Sequence, residues 1–383
     1  MSILDAVANQ PVGSGASGRS TATDLAVAQF GRAIPFRGLL HDVRGTTNGE
    51  LLTKAAMAWK VHTMPVGVIG KTEVRKADGW QALVRGDTGA TLSITSDTFQ
   101  AHQNSEIMRD MMEMAEIGDA HVCFAGALDG GRKVVAVARL EGEFELPNKE
   151  QSGHWNAHAG QQTDGDKTHL FVVISGGHEV GTPFKIRAMA FRRWCANGAF
   201  FTVNASSQFT RTHKGSLKNG DGARIRRCYE SIREEFKGYS VNAARLQEIA
   251  MEREQMHLYV AELLKPGISA EIGAKLAENP LSADKVWTEV ADTLRGKQVL
   301  FDIIGKHEEE QAAGFKRTRN TLIEAILEQD APNGNNLWTG YNGITWHVDH
   351  KRGRNPESGT DAALFGAGAV LKQNALETAL KFV

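Results

Sequence analysis

Residues 184–201, FKIRAMAFRRWCANGAFF, alternate apolar and polar positions with a period of two, which predicts a strand. Phe184, Ile186, Ala188 and Ala190 make an apolar face for a core. Lys185, Arg187, Met189, Phe191 and Arg193 share the opposite face, which is basic and aromatic together. The same pattern appears upstream. WQALVRGDTGATLSITS reads as two strands around the turn Gly86-Asp87-Thr88-Gly89, and AHVCFAGAL with RKVVAVARL as a second pair around Asp129-Gly130-Gly131. Between the pairs, Ile107, Met111, Met114 and Ile117 recur at helical spacing, and Gly118 marks the end of that helix. GELLTKAAMAW predicts a short helix, and HLFVVIS, continuously apolar, a buried strand.

Residues 141–167 are polar, His-rich and glycine-bearing, and read as a long loop. From about residue 217 to 330 the pattern turns helical, with stripes such as Ile225, Tyr229, Ile232 and Phe236, and with Pro266-Gly267 and Pro280 as punctuation. APNGNNLWTGYNG reads as a connection, and SGTDAALFGAGAVLKQNALETALKF as one terminal helix with Thr360 at its N-cap. The chain is thus expected to be α+β, with an antiparallel β-rich front half, whose hairpins bracket a helix, and a mostly helical back half. Four regions follow: a flexible arm over residues 1–30, a β-rich core with a basic groove over 31–216, a helical region over 217–330, and a connection with a C-terminal helix packing back on the core over 331–383.

Whole-chain charge changes little in this picture. A net charge of -1 over 383 residues excludes a wholesale polycation. Local charge changes it more. Residues 183–227 hold ten basic side chains against one acid, Asp221, a balance of +9, whereas residues 101–165 hold eleven acids against five bases. A polyanion is therefore expected to find a patch rather than a whole surface. Cys123, Cys195 and Cys228 have no paired spacing, which predicts reduced thiols. No apolar run approaches the ~18 residues of a membrane span, so a protein of the bacterial cytoplasm with no membrane partner is expected.

Cations that track a backbone, interleaved with aromatic side chains on which bases stack, are what sequence-tolerant binding of a single strand requires. The residues in that pattern are Lys185, Arg187, Phe191, Arg192 and Arg193 on the strand, then Arg211, His213, Lys214, Lys218, Arg224, Arg226 and Arg227 after it. They point to single-stranded nucleic acid, DNA first, held by a non-enzymatic homo-oligomer in a ring or filament. A solvated edge strand with a basic helix face has the same composition. No catalytic set, cofactor fingerprint or metal site emerges. His347, Asp349 and His350 are too close along the chain to converge on one ion from regular structure. The alternatives are a metal- or small-molecule-dependent enzyme with its site in the His-rich segment 154–178, which contains His154 and His158, or a phage structural or host-interaction protein.

Several segments also carry a likeness. VRGDTGATLSITSDTFQAHQNSEIM, KIRAMAFRRWCANGAFF, TRTHKGS, YNGITWHVDHKRGR and the terminal GAGAVLKQNALETAL, in that order, resemble the phage/plasmid-like family built on the domain of unknown function nine-three-two. The likeness runs from about residue 40 to the C-terminus. Its specific parts are the Asp-Thr-Gly hairpin followed by Gln103-Asn104, the stretch Arg192 to Asn197, and the loop around His213. This resemblance implies a phage or plasmid setting, where proteins that handle single strands in recombination are common. The layout is also similar to Rad-fifty-two-like single-strand annealing proteins, a fold-level analogy.

Overall fold

The computed structural model describes residues 35–146 apart from 48 and 72, 166–192, 197–200, 208–211, 220–264 apart from 252, 306–328 and 336–383. After a two-residue strand β1 (His41–Asp42) and a one-turn helix α1 (Leu51–Lys54), the chain forms a small antiparallel sheet. Its strands are β2 (Val61–Ile69), β3 (Val74–Arg85) and β4 (Thr91–Ser96), and the β3–β4 turn is the one predicted at residues 86–89. Helix α2 (Asn104–Ile117) follows, with Gln103 and Glu106 forming a capping box and Gly118 at its C-terminus.

The main sheet is antiparallel. Its strands are β5 (His121–Leu128), β6 (Lys133–Leu146), β7 (Asp166–Gly177), β8 (Phe184–Arg192), β9 (Asn197–Phe200) and β10 (Thr210–Arg211). The order is β1-β5-β6-β7-β8-β10, with β9 also paired to β8. Strands β6 and β7 run farther than expected: Leu146 pairs with Asp166, so residues 141–146 and 166–167, expected in the loop, are strand, and the rest of the expected loop lies outside the described residues. The signal was present. LEGEFEL alternates, with Leu140 and Leu146 buried while Glu141 and Glu143 face water, but its glutamates made it read as polar.

The back half supplies α3 (Asp221–Glu248), α4 (Arg253–Leu264), α5 (Lys306–Glu328), α6 (Leu337–Trp346), a π-turn over His347–Lys351, α7 (Pro356–Leu364) and α8 (Ala367–Ala379). The fold is α+β, antiparallel in front and helical behind. Two expectations are corrected here. Residues 337–346 are a helix, capped by Asn336, whose side chain accepts from Thr339 N at 2.9 Å. Residues 337–345 are all buried, so the helix shows no amphipathic period. Its glycines allow close approach: a Cβ on Gly343 would come within 2.6 Å of the Ile326 backbone on α5. The single terminal helix is in fact two, broken at Phe365–Gly366. The cap of the first is Asn355 with Pro356 behind it, while Thr360 lies inside and donates to the Phe36 carbonyl at 3.3 Å.

Both faces of the main sheet are covered. On one, Phe184, Ile186, Ala188 and Ala190 of β8 join Met111 and Met114 of α2 and Ile225, Tyr229 and Ile232 of α3 in the larger core. On the other, Met189, Phe191, Phe171, Val173 and Val137 pack against Leu364 and Ala369 of α7 and α8 and against Phe36. The small sheet roots only one face, through Val61, Leu83 and Leu92, against Trp59 and Phe99.

Candidate nucleic-acid interface and a buried polar node

The strand expected to show a basic, aromatic face to solvent is buried on both sides. Phe191 is 3 % exposed, its ring 5.5 Å edge-on from Phe171 and 5.9 Å from Phe36, and Met189 is fully covered. The expectation that Phe191 lies on an exposed face is corrected. A period of two states that two faces differ, but water and a second layer of helices both satisfy it, and the layer comes from residues 36 and 364–369, far away in sequence. Arg187 follows the same logic. It is partly buried, its guanidinium donates to the Leu364 carbonyl at the end of α7, and burial pulls its pKa down. Arg192 is buried. Arg211 is buried too, with Nε 3.2 Å from Asp221 Oδ2.

Other expected contacts are at the surface. Lys185 is exposed on β8 opposite Thr210 of β10, and Arg224, Arg226 and Arg227 are exposed on the first turns of α3. Arg224 lies over the Phe209 ring, 5.3 Å from its centroid, and reaches the Thr210 carbonyl at 3.4 Å. Asp221 is occupied: besides Arg211 it meets Arg224 Nη1 at 3.5 Å. Arg193, His213, Lys214 and Lys218 lie outside the described residues.

This basic cluster sits at one end of the main sheet, and the small sheet docks at the same end. Arg85 of β3 donates to Gly130 O in the β5–β6 turn at 3.0 Å, and Val180 N between β7 and β8 donates to Ser93 Oγ of β4 at 3.2 Å. Lys185 lies near the start of β8, just after Val180. A cleft lies in the seam, lined by Leu83, Phe99, His102, His178, Val180 and Pro183. His178 is buried, its Nε2 2.8 Å from Asn104 Oδ1. The other described histidine of the segment proposed as an enzymatic site, His169, is buried nine residues away on β7, roughly 30 Å along the strand. The structure does not bring these two together, and His154 and His158 lie outside the described residues.

Sequence reasoning missed a polar node at the π-turn. Asp349 Oδ1 accepts from Lys372 Nζ of α8 at 2.8 Å, and Oδ2 accepts from Gly198 N of β9 at 2.8 Å. Lys372, which is fully buried, also donates to the Gly198 carbonyl. Burial lowers its pKa, against the opposing pull of Asp349. Arg37 ties the turn from outside, donating through Nε to Asp349 O at 2.6 Å and through Nη2 to Arg352 O at 2.6 Å. A Cβ on Gly198 would stand 2.5 Å from Met189 Sδ, so a larger residue there would have to displace that buried side chain. The segments around residues 184–200 and 341–354, both conspicuous in the sequence, thus meet at one carboxylate. That carboxylate is fully engaged, and among the described residues no group of three His, Cys, Asp or Glu side chains could hold a metal ion. Cys123 and Cys228 are buried free thiols, the former pushed up to about 11 by burial, and Cys195 lies outside the described residues.

His347 on the same turn makes a pH-dependent prediction. Its Nδ1 is buried with no hydrogen-bond partner, and burial, then Arg352 and Lys351, lower its pKa from 6.5. The folded state therefore takes up this proton later than the unfolded state as pH falls. The resulting loss of stability is absent above 6.5, grows below it, and is complete once pH passes the folded pKa. His347→Gln is expected to flatten the fall in urea midpoint between about pH 7.5 and about pH 5. An unchanged slope would place the titration elsewhere.

No helix among the described residues is long and apolar enough to cross a membrane. No curated protein and no solved structure matches the chain. The family model described as Domain of unknown function (DUF932) matches residues 91–367, from β4 to the start of α8 and including Gly198 and Asp349 of the polar node, and the protein belongs to that family.

Proposed function

We propose that the protein binds single-stranded nucleic acid, DNA first, and serves strand annealing or protection in phage- or plasmid-type recombination in the bacterial cytoplasm. The observation that carries this reading is the surface at the β8–β10 edge. Lys185, Arg224, Arg226 and Arg227 are exposed there, while Asp221, the one acid between residues 183 and 227, is held by Arg211 and Arg224. Positive charge is left over at the surface, in a chain whose net charge is -1. The reading needs no cofactor and no catalytic group. Repeating such a shallow surface around a ring or filament of identical subunits raises affinity by avidity, so self-association belongs to the proposal. Light scattering with and without an oligonucleotide checks it.

Salt dependence tests the reading directly. Affinity for a short oligo(dT) is expected to fall linearly on a log-log plot against salt, each neutralised phosphate contributing about -0.7 to the slope. Replacing Arg224, Arg226 and Arg227 together by Ser is expected to weaken binding on all sequences alike and to flatten that slope. The helix should survive, because Ile225, Cys228 and Tyr229 carry its packing. A salt-insensitive affinity, or one that the triple variant leaves intact, refutes the proposal.

A further inference from the structure

The small sheet has an outer face on which the fold makes no use of its apolar side chains. Cross-strand pairing puts Met64, Ala82 and Ile94 in one row, and Trp80 opposite Ser96 on the same side. Met64 is 52 %, Ile94 54 % and Trp80 54 % exposed. The opposite face is the one rooted in the body by Val61, Leu83 and Leu92. Exposed apolar rows of this kind mark contact surfaces. Trp80 is also the one aromatic side chain counted among the large exposed apolar residues of the described chain.

We infer that this outer face is where unpaired bases stack, with Trp80 as the platform. The inference rests on the nucleic-acid reading above and adds the contact that reading lacks, since Phe191 is core. Three observations select this occupant. The sheet docks beside the basic edge, through Arg85 to Gly130 and Val180 to Ser93, so a strand lying across Lys185 and Arg224 would leave that edge toward it. The sheet carries cations of its own, Lys60 and Lys76, both exposed, interspersed with Glu73 and Asp78. The face is also small. Strands of nine, twelve and six residues, about 4.8 Å apart at ~3.3 Å per residue, give roughly 430 Å², well under the ~800 Å² per partner of a stable protein interface. That area suits a few bases. A base offers its flat face only when unpaired, so a ring platform selects single strands over duplex.

The test measures binding of labelled oligo(dT), of the same strand made abasic, and of oligo(dT)·oligo(dA) duplex by fluorescence anisotropy. Wild type, Trp80→Ala, Trp80→Phe and the Arg224/Arg226/Arg227 triple Ser variant are compared. Trp80→Ala is expected to lose roughly tenfold in affinity for oligo(dT) with its salt slope unchanged, and Trp80→Phe to retain most of it. Wild type should bind the abasic strand about as weakly as Trp80→Ala binds oligo(dT), and wild type and the two Trp80 variants should bind the duplex alike. The two readings fail differently. If Trp80→Ala binds oligo(dT) like wild type while the triple variant loses binding, the stacking face is overturned and the basic edge stands. If wild type does not bind oligo(dT), both fall. If Trp80→Ala instead lowers the mass seen by light scattering without oligonucleotide, or abolishes sedimentation with phosphatidylcholine vesicles, the face belongs to a second copy or to lipid and the inference is overturned. Equal melting temperatures of wild type and Trp80→Ala are required for the comparison, and Trp80→Phe repeats it in a gentler form.

Discussion

Asp349→Ala is expected to destabilise the protein by about 3–5 kcal/mol, because it leaves the Lys372 ammonium buried without its counter-ion. The Lys372 side chain is 0 % exposed. It keeps the Gly198 carbonyl, and Gly198 N loses its acceptor at the same time. The damage should spread to β9, which this carboxylate ties to the C-terminal helices. Urea unfolding followed by circular dichroism reads the loss. The companion Asp349→Leu/Lys372→Met removes both charges together and is expected to recover most of the stability, since a well-packed apolar pair often replaces a buried ion pair at no cost. A single variant that loses less than about 1 kcal/mol would mean that Lys372 escapes to solvent and the node is not closed.

The parts of this fold that were legible in the sequence are those whose information is local. The turn at residues 86–89, the turn at 129–131 and the helix ending at Gly118 each declare themselves within a few residues, through glycines that permit reversal and a periodic apolar stripe. What was illegible depends on partners distant in sequence. The 337–346 helix is surrounded, so it has no polar face to give it a period, and its glycines, which let α5 approach, read as loop. The long β6–β7 ladder hid behind three glutamates whose alternation was correct but whose composition argued against a strand.

The candidate site divides in the same way. Exposure of Arg224, Arg226 and Arg227 follows from helical spacing around Ile225 and Cys228, which the sequence does carry. The burial of Arg187 and Arg211 does not: one is held by a carbonyl at residue 364, the other by Asp221 ten residues further along the chain. Nor could composition distinguish Trp80 from Phe191. Both stand on strands with cations nearby, and only the sheet order shows that β8 lies inside a seven-stranded sheet covered on two sides, whereas β3 belongs to a sheet covered on one. Asp349 left a faint trace, as one carboxylate in WHVDHKRGR, but nothing near it in sequence points to Lys372 or Gly198.

Phe191→Ala is expected to cost about 3–5 kcal/mol of stability, the range for truncating a core phenylalanine, and to leave the affinity of the folded protein for oligo(dT) unchanged. The ring closes the second core: it meets Phe171 edge-on, Phe36 across the N-terminal segment, and Leu364 and Ala369 from the C-terminal helices. Removing it opens a cavity at the point where three distant segments meet, and Arg187, which crosses the same layer to reach Leu364 O, loses part of its support. The partition of effects is the informative quantity. A stacking residue lowers affinity by roughly a decade and moves the urea midpoint little, whereas a core residue does the reverse. Phe191→Ala and Trp80→Ala should therefore fall in opposite corners of a plot of lost stability against lost affinity. If Phe191→Ala unfolds at the wild-type urea midpoint, the helical layer over β8 does not form in solution, and the basic strand is open to a ligand after all.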